Sequence, residues 1–179
     1  ALYELKTISS YTEGLLTKIY PRNDMGLWDF ESIKWGIINS FEELNSYKES
    51  SPLSNWINKY LNNKKIIDVD IYNLTKKIAN NFIDYLVFRP EMVANWHRYE
   101  LKSQNLFNNL NSNEYWQPIL YKLLAKKISE KPPCLFMIDI INDIKELQDF
   151  ENLIPRQIYI ISDNNLSRLH VNFYSKLAK

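Results

Sequence analysis

Glycine and cysteine are scarce in this sequence, and their scarcity excludes two kinds of site. Only three glycines occur in 179 residues, at Gly14, Gly26 and Gly36, and they form no glycine-rich run. Phosphate-binding loops need several neighbouring glycines, because consecutive backbone N–H groups must approach the phosphates. The sequence therefore excludes a P-loop or a dinucleotide-binding loop within these residues. A single cysteine, Cys134, excludes an internal disulfide framework and a cysteine-built metal site, and it predicts a reducing, cytoplasmic environment.

A large excess of one charge and long apolar runs are also missing. The net charge is +1 and no stretch of roughly 18 apolar residues occurs. We therefore expect neither a membrane span nor a signal peptide in these residues. Because the chain has no strong overall positive field, any binding to nucleic acid must come from local clusters of Lys and Arg.

The sequence has the composition of a globular protein and a helical periodicity. Hydrophobic residues make up 45% of the chain, which is enough to form a core. Apolar residues at three- and four-residue spacing predict helices over about residues 11–20, 29–47, 53–61, 71–85, 115–128 and 134–147, and two more that begin at Pro90 and Leu166. In the second helix, Trp35 and Ile38 are expected to widen the apolar stripe. The run from Cys134 to Ile141 also fits a buried strand, but its helical continuation to Leu147 favours a helix.

One short strand is predicted near the end of the chain. The residues from Arg156 to Ile161 include Gln-Ile-Tyr-Ile-Ile and lie between Pro155 and a polar turn. A strand that leads through a polar turn into a helix is half of a βαβ unit, and such a strand needs a parallel neighbour. We therefore expect a predominantly helical domain over residues 1–150, a strand–helix unit of an α/β core over residues 151–179, and a longer polypeptide around both.

The stretch from Asn80 to Trp96 has the clearest local signals in the sequence. An amphipathic helix leads into Arg89-Pro90, where Pro90 disfavours helical backbone at Arg89 and suits the first turn of a new helix. Lys and Arg contact phosphates and Asn pairs with base edges, although a solvated helix face explains the same pattern without any ligand. The polar positions on this helix and at the break are Lys76, Lys77, Asn80, Asn81, Asp84 and Arg89.

Two pairs of carboxylates are weaker candidates for chemistry. Asp68 with Asp70, and Asp139 with Asp143, have spacings that occur in metal-dependent nucleases. Neither pair has the nearby His, Lys or third carboxylate that such a site needs. A helix start and a solvated face are the favoured interpretations, so we expect no metal, no cofactor and no catalytic residue.

Aromatic and ring-nitrogen side chains after the break have two interpretations. Trp96, His97 and Tyr99 together fit a stacking platform for unpaired bases. A core position for Trp96 is favoured over this platform. His97 and His170 lack metal-ligand spacing, and Cys134 is expected to be a small buried hydrophobic residue.

Three segments of the sequence carry a family resemblance. The first, Tyr85 to Pro90, reads Tyr-Leu-Val-Phe-Arg-Pro and is followed six residues later by Trp96. The second runs from Asn113 to Tyr121, and the third from Arg156 to Leu166. In this order they resemble segments of the RecC family, the gamma subunit of exodeoxyribonuclease V, and the resemblance spans nearly the whole chain as an early internal part of a longer protein.

The resemblance implies a fold and a role that the residues alone do not. The implied fold is a helical insertion plus the edge of a degenerate superfamily 1 helicase-like α/β domain that has lost its ATPase motifs. The implied role is to bind and channel a single DNA strand, in the region that recognises the Chi sequence, beside RecB-like and RecD-like subunits in double-strand break repair and recombination. The polar helix face and Arg89 would then line the channel. The alternative is a structural module that mediates subunit contacts without binding DNA.

Overall fold

Helices dominate the chain in its computed structural model, which describes residues 6–20, 28–61, 69–129, 131–142, 154, 157–161 and 166–178. This confirms the prediction of a mainly helical fold. Short 3₁₀ turns cover Lys48–Ser50, Gln104–Phe107 and Ser112–Glu114. The α-helices are α1 (Ile8–Ile19), α2 (Phe30–Ile38), α3 (Phe41–Leu44), α4 (Ser51–Leu61), α5 (Val69–Phe88), α6 (Pro90–Arg98), α7 (Trp116–Lys127), α8 (Pro133–Asn142) and α9 (Arg168–Leu177).

The first two helices begin at residues whose side chains satisfy a free backbone N–H group. Thr7 Oγ1 accepts a hydrogen bond from the Ser10 N–H at 3.2 Å. Asp29 Oδ1 accepts one from the Ser32 N–H at 2.7 Å. The first N–H groups of a helix have no partner within it, so these caps fix where each helix starts.

The single helix predicted from Asp29 to Tyr47 is interrupted at Ser40, so that prediction was wrong in part. Ser40 is fully buried, and its hydroxyl donates to the Gly36 carbonyl at 2.7 Å. The Ser40 N–H bonds to the Ile37 carbonyl instead of the carbonyl four residues back. A serine that bonds to backbone in this way offers an alternative to the helical ladder, and α2 ends here before α3 begins.

The helix α5 is central to the packing of the fold. It contacts α2, α6, α8 and α9. Its inner face joins a hydrophobic cluster that also takes residues from α1, α2, α4, α6, α7, α8 and α9. The buried apolar members on α5 are Ile71, Ile78, Ala79, Phe82 and Leu86. The three- and four-residue spacing of these positions gives a helix with one apolar side, and the opposite side is left to solvent.

Gly36 lets α2 and α7 approach each other closely. A Cβ atom at this position would lie 2.7 Å from Leu124 Cδ2, which is closer than carbon atoms pack without displacement. A larger residue at Gly36 would therefore require the end of the Leu124 side chain to move.

The strand predicted from Arg156 to Ile161 is not found. Residues 157–161 carry no regular secondary structure, and no described residue of the chain lies in a strand. A β-strand is stable only when a neighbouring strand satisfies its backbone groups, and the described residues offer no such neighbour. Tyr159, Ile160 and Ile161 are exposed instead. Pro155 and Arg156, at the start of this prediction, lie outside the described residues.

The last helix packs against the helical body. α9 contacts α8 and α5, and its Leu169, Phe173 and Tyr174 belong to the common hydrophobic cluster. The Tyr174 hydroxyl and Thr12 Oγ1, on α1, are 2.8 Å apart. The helix predicted over residues 134–147 is confirmed over Pro133–Asn142, and residues 143–150 lie outside the described part. The division into domains at residues 150 and 151 stays a prediction.

Candidate nucleic-acid interface

The polar residues predicted as a binding site share one face of α5. Lys76, Lys77, Asn80, Asn81 and Asp84 are all exposed. They follow one another at three- and four-residue spacing, so they lie on neighbouring positions along the helix. The fully buried Thr75, whose hydroxyl donates to the Ile71 carbonyl at 2.8 Å, lies on the opposite side. The structure therefore brings these five residues together as one continuous strip, which we call the α5 polar face.

Arg89 follows the last turn of α5, at the break between α5 and α6. Its backbone has φ −132° and ψ 46°, outside the helical range, and Pro90 is the first residue of α6. The Arg89 N–H still bonds to the Tyr85 carbonyl at 3.0 Å, and the Arg89 carbonyl accepts from the Met92 N–H at 3.1 Å. The exposed arginine is thus fixed between the last turn of α5 and the first turn of α6, where the sequence predicted a turn.

The cations of this face are available to an external ligand. No salt bridge joins Lys76, Lys77, Asp84 or Arg89 to another residue in the described part of the chain. The Arg89 guanidinium lies 5.6 Å from the centre of the Tyr85 ring, and Lys76 Nζ lies 5.6 Å from that of Tyr72. Burial raises the pKa of Tyr85, and the positive charge of Arg89 opposes that rise. The two lysines of the strip, opposed by the single carboxylate of Asp84, give it a local positive charge that the overall net charge does not reveal.

Trp96 is a core residue and does not form a stacking platform. It is 2% exposed, and its ring centre lies 5.7 Å from that of Tyr85 in an edge-to-face arrangement. His97 Nδ1 lies 3.2 Å from the Tyr121 hydroxyl, and the His97 carbonyl accepts from Lys122 Nζ at 2.7 Å. The core position of Trp96, which the sequence favoured, is confirmed.

The carboxylate pairs do not assemble into a metal site within the described residues. Asp70 is exposed at the start of α5, and Asp139 pairs with Lys131. Asp68 and Asp143 lie outside the described residues. No group of three or more His, Cys, Asp or Glu side chains suited to a metal ion occurs in the part that the structure describes.

The rings of Phe30, Trp35 and Tyr72 lie around Lys34, a cluster that was not predicted from the sequence. Trp35 was expected to widen the apolar stripe of α2, but it is 52% exposed, so that expectation was wrong. Lys34 is buried instead, with its Nζ 2.6 Å from Glu31 Oε2 and 5.3 Å from the centre of the Tyr72 ring. The hydrogen bond that Lys34 donates to Glu31 raises the pKa of Lys34. Helical periodicity could have predicted this burial, because position 34 lies nearer than position 35 to the apolar stripe that begins at Phe30.

Cys134 is buried in α8, as the sequence predicted. Burial raises the pKa of its thiol to about 12, which leaves little reactive thiolate at neutral pH. We expect a thiol reagent at pH 8 to modify the native chain at least about a hundredfold more slowly than the chain in urea. Because this is the only cysteine in the sequence, the rate of labelling reports it directly. Equal rates with and without urea would contradict the buried position.

The described helices include none with the combined length and apolar character needed to cross a bilayer.

Comparisons with known proteins point to one family. The family model described as "RecC, N-terminal domain" matches residues 1–179. The chain is also similar to a protein from Haemophilus influenzae, the RecBCD enzyme subunit RecC, with 26% identity over 111 residues. That match covers 55% of this chain and 10% of the relative's length, so the aligned part spans about a tenth of the relative. No solved structure matches the chain significantly.

Proposed function

The chain belongs to the RecC family through its N-terminal domain, and from this membership we propose that it is a non-catalytic DNA-handling segment of an exodeoxyribonuclease V gamma subunit. In this role it helps to bind and channel a single DNA strand during double-strand break repair and recombination. Its partners are RecB-like and RecD-like subunits. The similarity to a protein named as a subunit of the RecBCD enzyme supports this choice of partners.

The observation that carries the proposal is the α5 polar face, together with the exposed Arg89 at the end of the same helix. Its exposed lysines and arginine have no competing salt bridge among the described residues. Such cations bind phosphates without regard to sequence, whereas amides and carboxylates pair with base edges. Lys76, Lys77 and Arg89 therefore suit the backbone of a strand, and Asn80 and Asp84 suit its bases. The proposed role includes recognition of the Chi sequence by this region.

A structural module that only contacts partner subunits is the second candidate. Large apolar side chains are exposed on α5, on α9 and in residues 157–161, and Phe88, Val171 and Ile161 are examples. Exposed apolar residues of this size are common at protein interfaces. They favour a contact role, and on α5 they include Tyr72, whose ring centre lies 5.6 Å from Lys76 Nζ.

A titration with single-stranded DNA at two salt concentrations tests the first candidate. We expect Lys77→Ala and Arg89→Ala in the full-length protein each to weaken binding across all sequences. When one phosphate contact is lost, DNA binding releases fewer counterions. Each variant should therefore reduce the magnitude of the slope of log K against log salt by about 0.7. Lys18→Ala, which removes an exposed lysine from α1, is the control and should leave the slope unchanged.

Two results would decide against the DNA-binding role. In the first, Lys77→Ala and Arg89→Ala bind DNA as the unmodified protein does, with the same salt dependence. In the second, Lys18→Ala changes the slope as much as they do. The contact role would then be the better explanation of the exposed residues on α5.

A further inference from the structure

A small cavity lies where α1, α5, α8 and α9 meet the start of α2. Its volume is about 200 Å³, below the roughly 300–1,000 Å³ of pockets that hold a whole small-molecule ligand. Much of its wall is apolar and belongs to the common hydrophobic cluster. Leu86, Met137 and Leu169, which are buried on α5, α8 and α9, are examples. A cavity of this size and lining suits one long side chain with an apolar stem.

The charged side chains on the described wall are both carboxylates. Glu13 on α1 and Asp29 at the start of α2 line the cavity, and both are exposed, so they mark its open side. Neither forms a salt bridge with another described residue. Partial desolvation raises the pKa of Glu13, and the negative charge of Asp29 raises it further. The two carboxylates therefore repel each other, and a cation between them would relieve this repulsion.

The other polar groups that line the cavity do not supply that cation. The Trp28 indole N–H donates to Ser129 Oγ at 2.7 Å. Burial lowers the pKa of His170, so its ring is neutral at pH 7 and adds no positive charge. No described lining residue is a lysine or an arginine. Nothing in the described wall therefore neutralises the two carboxylates.

An arginine side chain has the shape and the charge that complement this cavity. Its stem packs along apolar surface while the guanidinium stays at a polar rim. The guanidinium is planar and always charged, and its five N–H groups can bind two carboxylates at once. Because Asp29 Oδ1 already caps the Ser32 N–H, the acceptors that remain are the Glu13 carboxylate and the second oxygen of Asp29.

Other occupants fit the cavity less well. A DNA phosphate would be repelled by both carboxylates. A metal ion needs more protein ligands than two carboxylates, and the described residues include no group of three or more suited to one. Arginine side chains held in pockets are frequent hot spots of protein–protein interfaces. Size and charge together favour a side chain from a protein partner.

We propose that this cavity receives an arginine side chain of a partner subunit, with the guanidinium bound between Glu13 and Asp29. The stem of that arginine packs against the apolar wall formed by Leu86, Met137 and Leu169. The inference rests on the proposed function for its choice of partners, which are the RecB-like and RecD-like subunits. It does not depend on a DNA strand at the α5 polar face.

Two substitutions of nearly equal shape remove the negative charges and keep the fold. Glu13→Gln retains a good helix former at an exposed position of α1. Asp29→Asn retains the cap of α2, because asparagine caps a helix as well as aspartate does. Glu42→Gln makes the same change of charge at an exposed position of α3, away from the cavity, and is the matched control.

The test is to measure the association of the full-length protein with each purified partner subunit by surface plasmon resonance. We expect Glu13→Gln and Asp29→Asn each to weaken binding to one subunit about tenfold or more, chiefly through faster dissociation, as when one member of an interfacial charge pair is removed. Glu42→Gln should leave both rate constants unchanged.

An alanine scan of the arginines of that subunit identifies the occupant. We expect one arginine whose replacement also weakens binding about tenfold or more. When that arginine is alanine, adding Glu13→Gln should weaken binding by less than about twofold further, because the two residues act through one contact. Independent, multiplicative losses at every arginine would contradict the pairing.

Equal binding by Glu13→Gln, Asp29→Asn and the unmodified protein would overturn the inference, and so would an equal loss in Glu42→Gln. In either case the proposed DNA-handling role is still decided separately, by the DNA titration of Lys77→Ala and Arg89→Ala. If the unmodified protein binds neither subunit, the partners named in the proposed function are wrong and this inference fails with them.

Discussion

Replacement of Trp96 by alanine is expected to lower the free energy of unfolding by about 3–5 kcal/mol, the range for large aromatic residues removed from a core. Trp96 is 2% exposed, and its ring meets those of Phe82, Tyr85 and Tyr121 at centre distances of 6.3, 5.7 and 5.9 Å. These rings come from α5 and α7, so alanine would leave a cavity where three helices meet. Denaturation in urea, followed by circular dichroism, measures the loss.

Trp35→Ala is the matched control for this prediction. Trp35 is 52% exposed, and Lys34 Nζ lies 5.4 Å from the centre of its ring. We expect its loss to cost about 1 kcal/mol or less, the size of a partly exposed cation–π contact. A similar cost for the two tryptophans would contradict the core assignment of Trp96.

Replacement of Phe173 by alanine is expected to cost a similar amount, about 3–5 kcal/mol. Phe173 is fully buried on α9, and α9 packs chiefly against α8. Because the buried residues of α9 join the common cluster, we expect one cooperative unfolding transition that shifts as a whole. Phe88→Ala, at a residue that is 62% exposed, should change the transition by less than about 0.5 kcal/mol.

Phe173→Ala also tests the predicted domain division. If residues 151–179 form a separate unit, Phe173→Ala should produce two transitions, with the major one at the position seen for the unmodified chain. A single shifted transition would place α9 in the same folding unit as α8 and would contradict a boundary at residues 150 and 151.

Local patterns predicted the central part of the fold well. The α5 helix, the break at Arg89 and the polar face follow from the spacing of apolar residues and from the geometry of proline, which depend only on near neighbours. Ser40 shows where such patterns fail. Its buried hydroxyl ends α2 by bonding to Gly36, and the apolar spacing through this region continues without any sign of the interruption.

Features that depend on distant residues could not be predicted from these patterns. The run at residues 157–161 has the composition of a strand, but pairing needs a partner that composition does not reveal. The cavity of about 450 Å³ that Met92, Trp96, Leu106 and Asn109 help to line likewise depends on how the turn around Asn109 packs beside α6.

The edge-to-face contact between Tyr85 and Trp96 also limits how α5 and α6 can move relative to each other. It joins the end of α5 to α6 across the break, and Trp96 in turn contacts Tyr121 on α7. The angle between α5 and α6 is therefore set by packed rings and not by the non-helical backbone of Arg89 alone.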